Sequence, residues 1–415
     1  MDELQRTRLT TDEVQNRTVH TLMASNAVGS GAVASAVAAI GLVAAEILGG
    51  DSLAGLPVAT ISIGSALAAP LLAAIMSQRG RRPGMVAGYS VGIVGALGVV
   101  ASAQAGTFVL LLLSLVAFGA GQAANYQGRF AAADLAQPDH RGRDIASVVW
   151  LGALGGILAP LLGPWEQRLG ESYGLGTYVG PMVMAVVFFS VAGLIVLIRL
   201  RPDPLAVLGF PGRGASAPDR RPLAGLAAAI RIPAARLALV ALAVSQVVMV
   251  AVMAMTPAHM RDHGQADLSY FVIAAHIAGM FGLAPLVGRW SDAWGRVRTI
   301  GYGGAIITIG TVASVAAGYV PALLFAGLFL LGLGWNFCLI SSSALLVDSV
   351  SESMRVNVQG GSDLLLGLAA AVAGLVSGII KQAAGFHWLA NLAAASALGL
   401  VVYAIAFTRR PNPAI

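Results

Sequence analysis

Asp363, His276 and Arg129 stand inside long apolar stretches of this 415-residue chain. An ionisable side chain exposed to hydrocarbon is costly, so each is read as a functional candidate. A carboxyl and an imidazole offer proton chemistry there, and imidazole changes charge near neutrality. Asp363 and His276 are therefore the expected proton-coupling residues. A pair between Asp363 and Arg129 would close when charged and open on protonation. Arg129 also completes a face at helical spacing with Gln122, Asn125 and Tyr126. Further along, Gln246, Met249, Met253 and Thr256 share a face. Trp335, Asn336, Cys338, Ser342 and Ser343 cluster, while Asn26 and Ser30 add polar groups to the first apolar stretch. Methionine, tryptophan and scattered amides suit an adaptable pocket for a mostly apolar molecule with a few polar groups. The plainer alternatives are a snorkelling Arg129, a helix-capping Asp363, a His276 bonded to nearby backbone, and stripes that only pack helices. Glu46, at a span end that water can reach, ranks below these.

A second group of charges is duplicated. Asp134 and Arg141 enclose six residues, as do Asp348 and Arg355, at an offset of 214; Gly80-Arg81-Arg82 is echoed by Gly295-Arg296-Val297-Arg298 at an offset of 215. The second copy extends backwards as Gly288-x-x-x-Asp292-x-x-Gly295-Arg296, where the first has Ala73 and Ser77 at the Gly and Asp places. Repeated halves in a membrane chain imply two bundles rocking about a midplane site, the architecture of a secondary transporter.

The elements that position these residues are membrane helices. With 57% hydrophobic residues, 11% charged residues and a mean hydropathy of +0.80, the chain has too little polar surface for soluble domains. Its apolar stretches run about 20 residues rather than alternating over about 10, so the fold is all-α and not a strand barrel. Twelve spans are expected, near 22–48, 54–76, 84–104, 107–133, 145–165, 179–199, 236–258, 267–289, 299–317, 320–347, 358–380 and 387–408. The Pro- and Gly-rich basic interruption at 200–235 reads as a linker between a six-helix bundle over 22–199 and another over 236–408, with polar tails at 1–21 and 409–415. Residues around 223–232 suit a short amphipathic helix on the membrane. With both termini cytoplasmic, 21 arginines fall inside against three basic residues outside (Arg168, Arg261 and Lys381), and Arg129 lies within a span. That asymmetry sets the orientation, explains the excess of basic residues and leaves no reason for a nucleic-acid partner. The polar 1–20 segment carries no cleavable signal, so the first helix is retained. One cysteine, Cys338, excludes an intramolecular disulfide and a Cys-based metal site. No HExxH, paired mid-span aspartates or P-loop is present, which argues against catalysis and ATP-driven pumping; no cofactor or metal is expected. Gly84, Gly88, Gly92, Gly374 and Gly378 are expected to allow close helix approach, and Gly155 and Pro160 to bend the fifth span.

Twelve spans in two sixes, a central linker and a basic Gly-Arg loop after spans two and eight resemble the major facilitator superfamily, over essentially the whole chain. The loop motif is complete in the second half and degraded in the first. The Asp-x6-Arg pairs look like the acidic-x6-Arg pairs that join loop arginines in the cytoplasmic charge network of sugar-porter members. That resemblance implies a cytoplasmic gate of Arg81, Asp134, Arg141, Asp292, Arg296, Asp348 and Arg355. Gly155-x-x-x-Ala159-Pro160-x-x-Gly163 is similar to the antiporter motif of drug/proton exporters, with Ala where those have Gly; their fourth-span Arg is unmatched, the aligned place being Ser114. Arg129-Phe-Ala-Ala-Ala-Asp134, Gly334-Trp-Asn-Phe337 and Gln359-Gly-Gly-Ser-Asp363 look like a poorly characterised bacterial branch. Members line their cavity with spans one, four, seven and ten, which implies a substrate cavity of Asn26, Gln122, Asn125, Tyr126, Arg129, Gln246, Met249, Met253, Trp335, Asn336 and Ser343. The resulting expectation is a monomeric transporter in the cell (inner) membrane, using alternating access for proton-coupled efflux of amphipathic small molecules. Uptake of a small metabolite or organic anion is the alternative, and a channel, a membrane scaffold or an intramembrane enzyme lies further off.

Overall fold

The computed structural model describes residues 10–48, 56–176, 178–209, 224–262, 269–316 and 320–409. Almost all of these residues are helical, and no strand occurs among them. The chain divides into two compact units. One is Met1–Gln137 with Ser147–Pro222; the other is Pro138–Ala146 with Leu223–Ile415.

The first unit is built from α1 (Thr11–Leu48), α2 (Leu56–Arg79), α3 (Arg81–Ala105), α4 (Phe108–Ala131), the greater part of α5 (Arg141–Leu158), a 3-10 turn (Ala159–Leu162), α6 (Gly163–Ser172), α7 (Gly180–Arg199) and the short α8 (Pro204–Val207). α1 begins well before the first apolar stretch. The Thr10 amide donates to Glu13 Oε2 at 2.7 Å and the Glu13 amide to Thr10 Oγ1 at 3.3 Å, a reciprocal capping box that starts the helix in polar sequence. The expected tail at 1–21 is thus helical from Thr11, and Gln15 Nε2 ties it to the Ala132 carbonyl at 2.7 Å.

Small residues set the packing, as expected where lipid is as apolar as the side chains. A Cβ added at Gly64 in α2 would lie 2.3 Å from the Val116 carbonyl oxygen, and one at Gly95 in α3 would lie 2.2 Å from the Phe118 nitrogen. α4 is therefore held backbone to backbone by both neighbours, with Gly88 and Gly92 of α3 also against it.

The second unit contains α9 (Ala224–Arg231), α10 (Pro233–Asp262), α11 (Ser269–Phe281), α12 (Ala284–Trp294), α13 (Arg296–Ala316), α14 (Pro321–Ser349), α15 (Glu352–Ala384) and α16 (Phe386–Thr408). Here α14 takes the place of α4. A Cβ at Gly279 of α11 would meet the Phe329 carbonyl oxygen at 2.1 Å, and one at Gly334 would meet the Gly303 carbonyl oxygen of α13 at 2.6 Å.

Among the described residues, ten helical stretches are long and apolar enough to cross a membrane, with α11 and α12 counted as one. The expected ninth span coincides with α13. The fifth is broken at Ala159-Pro160, where proline cannot donate the next helical bond. Span eight likewise breaks at Gly282-Leu283.

Three expectations need correction. Gly374 and Gly378 have nothing within 4 Å of an added Cβ, so they make no close helix contact among the described residues. The first bundle is not contiguous over 22–199, because Pro138–Ala146 goes with the second unit. The described part of the amphipathic segment forms α9 but lies on α15, with Gly225 against Asn357 and Val358 and Leu226 against Gly361; its buried face is used by protein.

Candidate functional site

The duplicated charges form two ion-pair systems. At one end of the first unit, Arg81 Nε and Nη2 donate to Asp134 Oδ2 and Oδ1 at 2.7 and 3.0 Å, while Nη1 donates to Gln127 Oε1 at 3.2 Å. Both side chains of the pair are fully buried. Gly80 has φ 99° and Gly295 has φ 90°, a region that favours glycine, so the turn before each loop arginine has the same form. Asp203 closes the open N-terminus of α3 by accepting the Arg81 and Arg82 amides at 3.1 and 2.7 Å.

The second unit repeats the device with different parts. Arg296 Nε donates to Asp348 Oδ2 at 3.2 Å, and its Nη1 pairs with Asp292. Arg141 pairs with Asp348, and Arg296 also donates to the Pro138 carbonyl. Asp292 accepts the Gly142 and Arg143 amides, both at 2.9 Å, so here the capped helix is α5. Arg141 is therefore matched with Asp348 and not with Asp134, the aspartate six residues before it. Arg355 is buried in α15.

In both units the first span is hydrogen-bonded to the fourth. Asn26 Nδ2 donates to the Asn125 carbonyl at 2.7 Å, Asn125 Nδ2 to Ser30 Oγ at 2.9 Å, and Tyr89 Oη to Asn125 Oδ1 at 3.1 Å. In the second unit Trp335 Nε1 donates to Gln246 Oε1 at 2.9 Å, joining α14 to α10, with Phe281 edge-on to the indole at 6.1 Å. Met249 is buried and Met253 half-buried beside them in sequence. Among the described residues, Asn336, fully buried, has neither amide atom bonded, and the buried hydroxyls of Ser341, Ser342 and Ser343 also lack partners.

The α4 face divides. Asn125 points into the unit, whereas Tyr126 is 46% exposed and accepts from Gln122 Nε2 at 3.1 Å. Arg129 is buried, donating to the Tyr126 carbonyl at 3.1 Å with its guanidinium 4.4 Å from the Phe130 ring centre. Asp363 is buried in α15. His276 Nδ1 lies 2.9 Å from the Leu328 carbonyl; a carbonyl only accepts, so Nδ1 carries the hydrogen and Nε2 faces protein without a partner. This is the backbone-bonded role weighed for a lone membrane histidine. A groove of about 550 Å³ on the second unit, lined by Trp294, Arg298, Tyr302 and Phe337, contains none of the predicted residues. With Trp290 stacked on Trp294, it has the composition of an interfacial aromatic belt.

Sequence reasoning missed Asp203 and Glu166. Glu166 in α6 is fully buried; Ser35 Oγ of α1 donates to its Oε1 at 2.9 Å, and among the described residues Oε2 has no partner. Burial pushes this carboxyl up from the ordinary carboxylate range, with the Ser35 hydroxyl opposing. An unpaired buried ion costs several kcal/mol, against about 0.3–1 kcal/mol from a helix N-terminus, so the neutral acid is favoured. Neither residue lies in an apolar stretch or in the repeat, the two signals by which the other candidates were found.

Residues 22–283 and 237–415 match the family model described as Major Facilitator Superfamily. An uncharacterised MFS-type transporter of Bacillus subtilis, YddS, is 35% identical over 84% of this chain and 81% of its own length. The riboflavin transporter RfnT of Brucella anthropi is 27% identical over 79% and 80%. Among solved structures, the human organic anion transporter MFSD10 aligns with a TM-score of 0.73 at 18% identity, over 94% of this chain and 99% of that one. The proton:xylose symporter XylE aligns at 0.74 and 13%, over 97% and 98%. At these identities the structural likeness speaks for the fold.

Proposed function

The chain belongs to the major facilitator superfamily of transporters, and from that premise we propose that it exports amphipathic, planar small molecules by proton-coupled alternating access. The observation that carries this reading is Asn336. A buried amide with donor and acceptor both empty loses about 1–3 kcal/mol relative to a bonded one. A substrate offering an adjacent acceptor and donor would restore it. One residue before Asn336 on α14, the Trp335–Gln246 pair, with Phe281 and Met249, offers an aromatic and soft apolar surface. Riboflavin, the substrate named for the Brucella relative, has a flat ring system with an imide edge of that donor–acceptor kind. Export is favoured by the break in α5 at Ala159-Pro160, where the antiporter-like motif lies.

On this reading both termini face the cytoplasm, and Arg141, Asp348, Arg296 and Asp292 form the latch at that side. Asp363 takes part in proton coupling. The buried guanidinium of Arg129 favours one second reading, uptake of a small organic anion.

The test uses full-length protein in liposomes with a pH-sensitive dye inside. Riboflavin, lipophilic cations and organic anions are added in turn. Expected is proton movement dependent on riboflavin or a flat cation, lowered roughly tenfold by Asn336→Ala, the equivalent of about 1.4 kcal/mol. Unchanged transport in that variant overturns the binding assignment. Transport confined to anions and lost in Arg129→Gln selects the second reading.

A further inference from the structure

Within the first unit, Glu166 lies far from the charged groups so far given a role. Its partner Ser35 is 20 residues beyond Gln15 on α1, about 30 Å along the helix from the end where Gln15 meets the α4 loop. α6 is pressed onto α7 there: a Cβ at Gly180 would lie 1.8 Å from the Glu166 carbonyl oxygen, and one at Gly170 would lie 2.9 Å from Gly180 Cα. This contact fixes the backbone of Glu166, and α1 supplies the one hydroxyl that its side chain meets.

The charged and titratable groups on the packed elements are few. α6 carries Arg168 and Glu171, both exposed, and ends at the exposed Tyr173; α1 carries Glu46, exposed and eleven residues beyond Ser35, while its Asp12, Glu13, Arg17 and His20 lie fifteen or more residues before Ser35; Tyr178, half-buried, precedes α7, whose Arg199 lies at its far end. Ser147–Leu158 of α5 and the 3-10 turn carry none. Among the described residues no basic group pairs with Glu166, and Oε2 remains without a donor. Among the described residues, then, Glu166 forms no structural ion pair. A buried carboxyl met by one hydroxyl and by no cation is less costly as the neutral acid than as a carboxylate, because the ion would be stranded without a counter-charge.

We propose that Glu166 is a proton-binding site of the first unit: it holds a proton while α6 lies against α1, and gives it up when Glu166 and Ser35 part and water reaches the carboxyl. The step is a proton transfer from the carboxylic O–H to water, leaving carboxylate, and it reverses when the contact re-forms. This deepens the proton-coupled reading and rests on it. It differs from the earlier assignment because Glu166 lies outside the predicted spans, whereas Asp363 and His276 lie within them.

The test has two arms. Infrared spectra of the full-length protein in lipid nanodiscs at neutral pH are compared with those of Glu166→Gln and Ser35→Ala. Expected is a protonated-carboxyl C=O band that is lost in Glu166→Gln and shifted in Ser35→Ala, the latter keeping the acid if the former fails to fold. No Glu166-dependent band at neutral pH overturns the proposal, whatever the transport result. The second arm uses liposomes and riboflavin. Glu166→Gln should lose riboflavin-dependent proton movement while keeping riboflavin exchange between the two sides. Equal proton movement in wild type and Glu166→Gln also overturns it. If wild type carries riboflavin without protons, the proton-coupled reading fails and the site's linkage to transport falls with it. The band by itself then decides only whether the carboxyl is protonated.

Discussion

Arg81 and Arg296 occupy equivalent loop positions, yet their aspartates do different work. Arg81–Asp134 is bidentate and wholly buried, whereas Arg296 and Asp348 are 9% and 15% exposed at the side chain. Removing one partner of a buried pair strands the other charge and costs about 3–5 kcal/mol, and the cost falls as water gains access to the charge left behind. Asp134→Ala should therefore destabilise the detergent-solubilised protein by about 3–5 kcal/mol, and Asp348→Ala, whose arginines keep some access to water, by less, in denaturant or thermal unfolding of matched samples. Equal losses would remove the distinction. On the proposed reading, Arg81–Asp134 is then a fixed element of the first unit, and the gating role is assigned to Asp348, Asp292 and Arg141. At this scale the charges were legible because they repeat at offsets of 214 and 215. Their partners were less so, since Arg141 reaches Asp348 at a separation of 207 residues, a distance that no local spacing reports.

Helix packing, rather than propensity, decides where the elements bend. In α5, a Cβ at Gly155 would lie 1.7 Å from the Ala27 carbonyl oxygen, one at Gly152 would lie 2.0 Å from Asn26 Oδ1, and one at Gly156 would meet nothing within 4 Å. The three positions are neighbours of one residue type with opposite consequences. Gly155→Ala forces α5 away from α1 backbone and should cost about 1–3 kcal/mol in thermal unfolding, as overpacking does. Gly156→Ala should be neutral, or stabilising by up to about 1 kcal/mol through helix propensity. Gly152→Ala displaces a side chain and should fall between them. If Gly155→Ala and Gly156→Ala melt together, α5 does not rest on α1 as described. The apolar spans were legible from run length alone, to within a few residues at most ends. The bend at Pro160 was legible too, but the break at Gly282-Leu283, the capping-box start of α1 and the docking of α9 on α15 were not. The docking and the approach of α5 to α1 depend on contacts between helices distant in sequence. The capping box is local but lies in polar residues, where a search for apolar runs does not look.

The two halves follow one plan with one asymmetry, and the asymmetry is where movement is best sought. In each, the fourth span is packed backbone to backbone and bonded to the first span of its half, by Asn125 in one and Trp335 in the other. In each, an aspartate accepts two successive backbone amides at an open helix N-terminus. In the first unit Asp203 caps α3, with both amides immediately beside the buried Arg81–Asp134 pair. In the second, Asp292 caps α5, and the segment Pro138–Ala146 is thereby held with residues more than 140 positions away. Arg141–Asp348 and the Arg296–Pro138 contact hold the same segment. The duplicated motif was legible, but the capping role of Asp292 was not, because it satisfies main-chain donors that have no sequence signature. A carboxylate accepting an amide contributes about 1.5–3 kcal/mol. Asp292→Asn keeps an acceptor but loses the charge, so one such bond weakens and the segment opens more often. Hydrogen exchange at the Gly142 and Arg143 amides should then accelerate roughly tenfold, about 1.4 kcal/mol in opening free energy, while the Arg81 and Arg82 amides on Asp203 stay unchanged. Acceleration at both pairs would mean general loosening, and no change at either would remove Asp292 from the latch. Acceleration confined to Gly142 and Arg143 identifies Pro138–Ala146 as the part that lets go first.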